Sequence, residues 1–274
     1  MTAAVSVSLV VYRPDMALLG ETLASLGPAL EAAREEGLLG RATIAVVDNG
    51  TADETALDTM VREATSRPWV ESRIIRGQGN VGYGRGHNLA ILSSDATYHL
   101  VINPDVIVMP NAVVEAIRYL EENPDVGLLA PDVRGPGGER QYVCRQYPSV
   151  FVLFLRGFAP PFLRRRFQDY MEAYELRHLT GDAAVKGIPV AGGCFMFTRL
   201  EVLRAVGGFS PDYFVYFEDF DLSLRLGRRS SLAFVPAVRI THYGGDASRK
   251  GSRHVLLFIR GAATFFRTHG WKIA

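Results

Sequence analysis

Four stretches of the chain carry side chains that could do chemistry. Residues 99–110 read HLVINPDVIVMP: an apolar run breaks at Asn103-Pro104-Asp105 and resumes at Val106. Asn-Pro is a common turn dipeptide, so one reading is a plain turn. The other is that the turn sets the Asp105 carboxylate at the end of a buried strand, with proline's fixed φ aiming it away. Residues 207–225, GGFSPDYFVYFEDFDLSLR, crowd Glu218, Asp219 and Asp221 into four positions. Carboxylates so close repel one another at neutral pH unless a cation or a basic partner compensates. Asp221 has a structural explanation, an i,i+4 pair with Arg225 on a helix start that favours acids. Glu218 and Asp219 follow aromatic residues instead, where desolvation raises a carboxyl pKa towards the range useful to a general base.

The other two stretches are GNVGYGRGHN at 79–88 and THYGG at 241–245. Bare glycine backbone ahead of a helix N-terminus admits a phosphate, and it equally makes a flexible turn. The spacing fits neither the dinucleotide fingerprint nor the P-loop, which disfavours a dehydrogenase or a P-loop enzyme. A lone histidine such as His242 is more often a structural hydrogen-bonder. With Asp105 available, an imidazole and a carboxylate would suit Mg²⁺ or Mn²⁺ held mainly by oxygens.

Elements must bring these residues together. Val5–Tyr12, Arg41–Val47, Trp69–Ile75 and Tyr98–Ile102 read as strands, and Met16–Leu30, Ala52–Ala64 and a helix opened by His87–Leu92 read as the connections. This βαβαβαβ order predicts a doubly wound, mostly parallel sheet, whose ligands bind beyond the carboxyl ends of the strands. Arg13-Pro14-Asp15, Asp48-Asn49, the glycine loop and Asn103-Pro104-Asp105 all stand at such ends. The second half is less regular. Val113–Glu121 reads as a helix, Val126–Pro131 as a strand and RGPGGERQYVCRQYP as a hairpin-like loop. Ile188–Thr198 reads as one strand, Leu200–Val206 and Asp219–Leu226 as helices, and Ala237–Ile240 as a strand leading to His242.

Composition narrows the class. A formal net charge of +1 gives no overall field for a polyanion, which argues against nucleic acid. Cys144 and Cys194 lack metal-type spacing and frame no disulfide scaffold, so a reducing, cytoplasmic setting is expected. The start MTAAVSVSLVVYRPD lacks the basic region of a signal peptide, and no apolar run reaches the length of about 18 residues needed to span a bilayer.

Taken in order, VSLVVYRPD, VVDNGTADET, GNVGYGRGHNLAI, VINPDVIV, VAGGCFMFTRLEVLRAVGGFSPDYFVYFEDFDLSLRL and THYGG resemble the family 2 glycosyltransferases of the GT-A fold, and within them the bacterial rhamnosyltransferase-like branch. The resemblance spans nearly the whole chain. It implies one GT-A domain over 1–274, with a Rossmann-like half to 110 for the nucleotide-sugar and the remainder for the acceptor and catalysis. It implies that Val11, Tyr12, Arg13, Asp48 and Asn49 form the pocket for base and ribose, with Asn80, Gly82, Gly84 and Asn88 close to the nucleotide-sugar. Asn103-Pro104-Asp105 then stands where the family has its D-x-D motif, with Asn103 a neutral neighbour of ribose or phosphate. Asp105 and His242 become the metal ligands, Asp219 the base that activates the acceptor, and Gly192, Gly193, Tyr216 and Glu218 the acceptor's surroundings. Asn103 leaves this metal site one charge poorer than D-x-D, so the donor diphosphate is expected to complete it.

The expected reaction is a metal-dependent inverting transfer, from dTDP-rhamnose first and UDP-sugars next, to a glycan or lipid-linked glycan in cell-surface polysaccharide synthesis. FVLFLRGFAPPFLRRRF and HVLLFIRGAATFFRTHGWK mix apolar and basic residues, as segments at a membrane interface do and as core-packing helices with solvated arginines also do. Peripheral contact with the inner face of the plasma membrane and a homodimer are the further partners entertained. The rivals are a sugar-nucleotidyltransferase, for which the N-terminus lacks a glycine-rich basic loop, and a non-catalytic sugar-nucleotide-binding module, which has no use for Glu218-Asp219.

Overall fold

The computed structural model describes residues 2–244 and 252–274. Its first half alternates as the sequence predicts. β1 (Ala3–Val11) leads through α1 (Met16–Glu35) to β2 (Leu39–Asp48), then through α2 (Glu54–Ala64) to β3 (Val70–Ile75), and through α3 (Tyr83–Ser93) to β4 (Tyr98–Ile102). Asp15 caps α1 by accepting from the Ala17 and Leu18 amides, and Asp53 caps α2 through Ala56. β1 lies between parallel β2 and β4, and its unbroken VSVSLVV run has helices on both faces. Ser6 and Ser8 in that run hydrogen-bond the fully buried rings of His99 and His87, tying β1 to β4 and α3.

Past β4 come β5 (Val106–Val108), α4 (Ala112–Glu122), β6 (Val126–Arg134), β7 (Arg140–Gln141), β8 (Cys144–Arg145), α5 (Val150–Gly157), α6 (Pro161–Arg166) and α7 (Gln168–Tyr174). Then follow β9 (Val185–Lys186), β10 (Val190–Ala191), β11 (Phe195–Arg199), α8 (Leu200–Ala205), α9 (Glu218–Leu226), β12 (Ser231–His242) and α10 (Ser252–His269). The main sheet runs β3-β2-β1-β4-β11-β6-β12-β5. β11 is antiparallel to both β4 and β6, and β12 is parallel to β6, so the sheet is mixed from its middle onward. The strand expected over Ile188–Thr198 is in fact two: β10 pairs with β8 in a separate small sheet, and Gly192-Gly193 break the chain before β11 joins the main one.

This topology decides which ends meet. The carboxyl ends of β1, β2, β4 and β12 point the same way, while antiparallel β5 and β11 begin at that edge. β5 pairs with β12 so that Val106 lies opposite His242, which makes Asp105 the neighbour of His242 by register. One apolar cluster fills the space between the sheet and α1, α2 and α4, and a second lies on the opposite face under α8 and α9. A third, aromatic cluster joins α5, α7 and α10 around Tyr174, Phe217, Phe265 and Phe266. The inner face of α10 is therefore core, while Leu256 and Ile259 on its outer face stay exposed.

Candidate active site

At the carboxyl edge, His242 Nε2 stands 3.4 Å from Asp105 Oδ1. His242 Nδ1 lies 3.1 Å from Gln141 Oε1, and Gln141 Nε2 donates to the His242 carbonyl at 3.0 Å. An amide oxygen only accepts, so Nδ1 carries a proton, and in the neutral ring Nε2 offers its lone pair towards the carboxylate. Asp105 Oδ1 is buried and accepts no hydrogen bond. Two acceptors facing each other in this way are what a cation between them would satisfy. A Cβ on Gly244 would lie 2.4 Å from His242 Nε2 and 2.7 Å from Asp105 Oδ2, so the glycine keeps the cradle open. Asp105, His242 and their surroundings thus fit a divalent cation. Among the described residues no third His, Cys, Asp or Glu joins them.

A hydrogen-bonded path leads from Asn103, two residues before Asp105, to the acidic pair. The Tyr83 hydroxyl lies 2.8 Å from both Asn103 Oδ1 and the Gly193 carbonyl. Gly193 N donates to Asp219 Oδ2 at 2.8 Å, and Phe220 N to Asp219 Oδ1 at 3.0 Å. A Cβ on Gly193 would meet Asp219 Cβ at 3.1 Å, which is why the break between β10 and β11 needs a residue without a side chain there. Burial raises the Asp219 carboxyl above its ordinary range, and the two backbone bonds pull back against it. Glu218 is buried with Oε2 unpaired; burial first and the Asp219 charge second push its carboxyl up to about 8. Of the two, Glu218 holds its proton more tightly, because Asp219 accepts from the amides of both Gly193 and Phe220.

The pair is presented by a strained turn. Tyr216 and Phe217 both adopt left-handed backbone, φ 70° and 68°, immediately before α9. Such residues cost about 1–2 kcal/mol each. The surroundings hold them: the Tyr216 hydroxyl meets His254 Nδ1 at 2.7 Å, and Phe217 is buried among Phe220, Phe258 and Phe265. α10 passes so close that a Cβ on Gly261 would lie 2.7 Å from the Tyr216 carbonyl.

The pocket expected for base and ribose gathers at the ends of β1 and β2. Asn49 N bonds the Val11 carbonyl, and Arg13, with φ 47°, donates its N–H to Gly50. The Arg13 guanidinium lies 5.4 Å from the centroid of the half-exposed Tyr12 ring. Asp48 Oδ1 accepts from the Gly50 and Thr51 amides, and Oδ2 faces Arg76 at 3.7 Å. Asn80 Oδ1 accepts from Gly82 N, and Asn49 Nδ2 donates to the Gly82 carbonyl. Pro104 makes its turn, and its carbonyl accepts from Thr22.

The helix after the glycine loop needs correction at its start. α3 begins at Tyr83 rather than His87, so Gly84 and Gly86 are helical. A Cβ on Gly84 would meet Phe209 Cβ at 2.8 Å, and one on Gly82 the Phe214 carbonyl at 2.4 Å. Asn88 engages both its amide groups with the Phe209 backbone. Gly82, Gly84 and Asn88 thus seat the 208–214 segment that leads to Glu218. Gly192 likewise packs against Val143, its N–H bonded to the Val143 carbonyl.

Above the acidic pair opens a cavity of about 440 Å³, lined by Tyr216, Glu218 and Asp219, by Arg145 and Arg156, and by an apolar wall that includes Phe158 and Phe258. Sequence reasoning missed Arg145, Arg156, Gln141 and Tyr83. The first and third lie in a stretch without periodicity, and nothing local distinguishes them from solvated residues.

Residues 18–206 match the sequence profile of Glycosyl transferase family 2. The N-acetylglucosaminyl-diphospho-decaprenol L-rhamnosyltransferase of Mycobacterium tuberculosis is 28% identical over 99% of this chain and 87% of its own length. The rhamnosyltransferase WbbL of Escherichia coli is 26% identical over 62% of this chain and 64% of its own. Among solved structures, the mannosyltransferase PcManGT of Pyrobaculum calidifontis in complex with GDP-Man and Mn²⁺ superposes with a TM-score of 0.62 at 16% identity, over 97% of this chain and 65% of that one. GalNAc-T7 with UDP, GalNAc and Mn²⁺ gives 0.61 at 13% identity, over 90% and 44%. The fold is that of the GT-A glycosyltransferases, and the chain belongs to glycosyl transferase family 2.

Proposed function

We propose that the chain transfers rhamnose from dTDP-rhamnose, with inversion, to a hydroxyl of a lipid-linked glycan. The observation that carries the transfer chemistry is the pair of sites on one edge: Asp105 with His242, and Asp219 with Glu218, joined through Asn103, Tyr83 and Gly193. The rhamnosyltransferase relatives favour the sugar, and the diphospho-decaprenol in one relative's name favours the acceptor class.

In this reading Asp219 takes the acceptor proton as the acceptor oxygen attacks the anomeric carbon from the face opposite the nucleoside diphosphate. The acceptor O–H bond and the bond from carbon to diphosphate break, and one glycosidic bond forms. Displacement is direct, as in inverting glycosidases, so no carboxylate nucleophile is required. Glu218, holding its proton, keeps the negative charge on Asp219. The Gly193 and Phe220 amides each leave a lone pair of their Asp219 oxygen for the acceptor hydroxyl. Asp105 and His242 would hold Mg²⁺ or Mn²⁺, which when bound neutralises charge on the donor diphosphate. Tyr12, Arg13, Asp48, Asn49 and Asn80 surround the base and ribose.

Peripheral membrane contact is part of the same reading. Phe154, Phe158 and Phe162 are 44%, 50% and 72% exposed along α5 and α6, beside Arg164, Arg165 and Arg166. Among the described residues no helix is long and apolar enough to cross a membrane.

A thermal-shift series of nucleotide-sugars with Mn²⁺ or Mg²⁺ tests the donor, since a ligand that binds the folded state raises its apparent stability. dTDP-rhamnose should stabilise most, and product analysis should show the inverted anomer. No stabilisation by any nucleotide-sugar with either ion would sink the proposal.

A further inference from the structure

The cavity above Glu218 and Asp219 contains more cation than the transfer reaction uses. Arg145, from β8, makes one hydrogen bond among the described residues, to the Tyr142 carbonyl, and no ion pair. Its charge is nevertheless felt at Asp219, where it favours the ionised carboxylate. Arg156, from α5, pairs with Glu175. Both guanidiniums lie within about one ring's reach of Tyr174, 6.0 Å and 5.7 Å from its centroid, so they border the same space. A guanidinium carries five N–H donors in a fork that suits phosphate oxygens, and among the described residues Arg145 leaves most of its fork uncommitted. Mere compensation of Asp219 would be expected to draw Arg145 into a direct ion pair, and it does not form one.

We propose that this cavity is the subsite for the diphosphate of an isoprenoid-linked acceptor, with Arg145 as its principal cation; this rests on the glycosyltransfer reading above. A hydroxyl on the acceptor's first sugar and the diphosphate on that sugar's anomeric carbon are separated by a single pyranose ring. Seating the hydroxyl at Asp219 therefore brings the diphosphate beside it, where Arg145 and Arg156 stand. The isoprenoid has an apolar way out. Leu153, Val255, Phe258 and Phe158 wall the cavity, and half-exposed Phe158 leads to Phe154 and Phe162 on the surface.

The test is calorimetric binding of farnesyl diphosphate to the full chain in EDTA, with farnesol and inorganic diphosphate as separate arms. Farnesyl diphosphate should bind at least about tenfold more tightly than either part alone, since each part forfeits the other's contacts. Arg145→Gln should weaken it by about tenfold or more, and Arg145→Lys by less, as loss of a charge-assisted hydrogen bond predicts. Phe158→Asp, at a half-exposed position that folding tolerates, should weaken farnesyl diphosphate and leave inorganic diphosphate unchanged. dTDP binding with Mn²⁺ should be the same in wild type and Arg145→Gln. Equal binding of farnesol and farnesyl diphosphate would overturn the proposal. So would an Arg145→Gln variant, melting as wild type does, that binds farnesyl diphosphate normally or loses dTDP to the same degree, the latter placing the guanidinium at the donor. Failure of the glycosyltransfer reading shows separately, as absence of nucleotide-sugar binding.

Discussion

Gln141 clamps His242 from two sides, accepting from Nδ1 through Oε1 and donating to the backbone carbonyl through Nε2. In the neutral ring the clamp puts the proton on Nδ1 and the free lone pair on Nε2, 3.4 Å from Asp105 Oδ1. A residue in a two-residue strand thus decides which histidine nitrogen faces the carboxylate.

Removing that clamp should loosen metal binding without touching a ligand. Gln141→Leu is expected to weaken Mn²⁺ by about 10- to 100-fold, the usual effect of losing an outer partner of a ligating histidine. The free Mn²⁺ signal in electron paramagnetic resonance, titrated with dTDP present, measures it. Unchanged affinity would mean that His242 is not a ligand or that its tautomer is set elsewhere.

Asp219→Asn keeps the shape of the side chain and removes the base. Transfer should slow by about 10²–10⁴, while stabilisation by the nucleotide-sugar persists in a thermal melt. Wild-type turnover in this variant would remove Asp219 from its assigned role.

Glu218 makes stability depend on pH, with a definite sign. Its carboxyl is raised from 4.5 to about 8, so the folded chain holds that proton more tightly than the unfolded chain. The associated stability is complete below the unfolded value and is lost as pH rises through the folded one. Glu218→Gln mimics the neutral acid and cannot ionise. Its stability relative to wild type should therefore increase between pH 5 and pH 9 in urea melts. Parallel pH profiles for the two proteins would show that Glu218 ionises normally.

Gly84→Ala separates the two readings of the glycine loop. The added methyl is forced against Phe209, 2.8 Å away, and overpacking of this kind costs about 1–3 kcal/mol. Denaturant midpoints should fall while affinity for dTDP with Mn²⁺ holds. A large loss of nucleotide affinity at unchanged stability would restore the loop as a phosphate cradle.

Much of the fold is legible locally because each element of the first half carries its own signal. β1 reads as a buried strand from its apolar run, α1 as a helix from its spacing after Met16, and Asn103-Pro104-Asp105 marks the end of β4. The Asp221–Arg225 pair follows from helical spacing alone, and its Nη2–Oδ2 distance is 2.7 Å. The acidic and metal-type residues were found by chemistry, since a carboxylate among aromatics or at a strand end needs a reason.

Other features have no local signal. Asp105 and His242 lie far apart in sequence and meet only because β5 pairs antiparallel with β12 in one register. Whether Gly82 and Gly84 serve a phosphate or a neighbouring chain depends on what comes close to them, and the 208–214 segment is remote in sequence. Arg145 and Arg156 acquire meaning only when α5, α10 and the strained Tyr216-Phe217 turn enclose a cavity around them. The sequence by itself determined the family, the first four strands and the side chains able to do the chemistry. Which of those side chains face one another, and in what protonation, was decided by strand register and burial, which are properties of the folded chain as a whole.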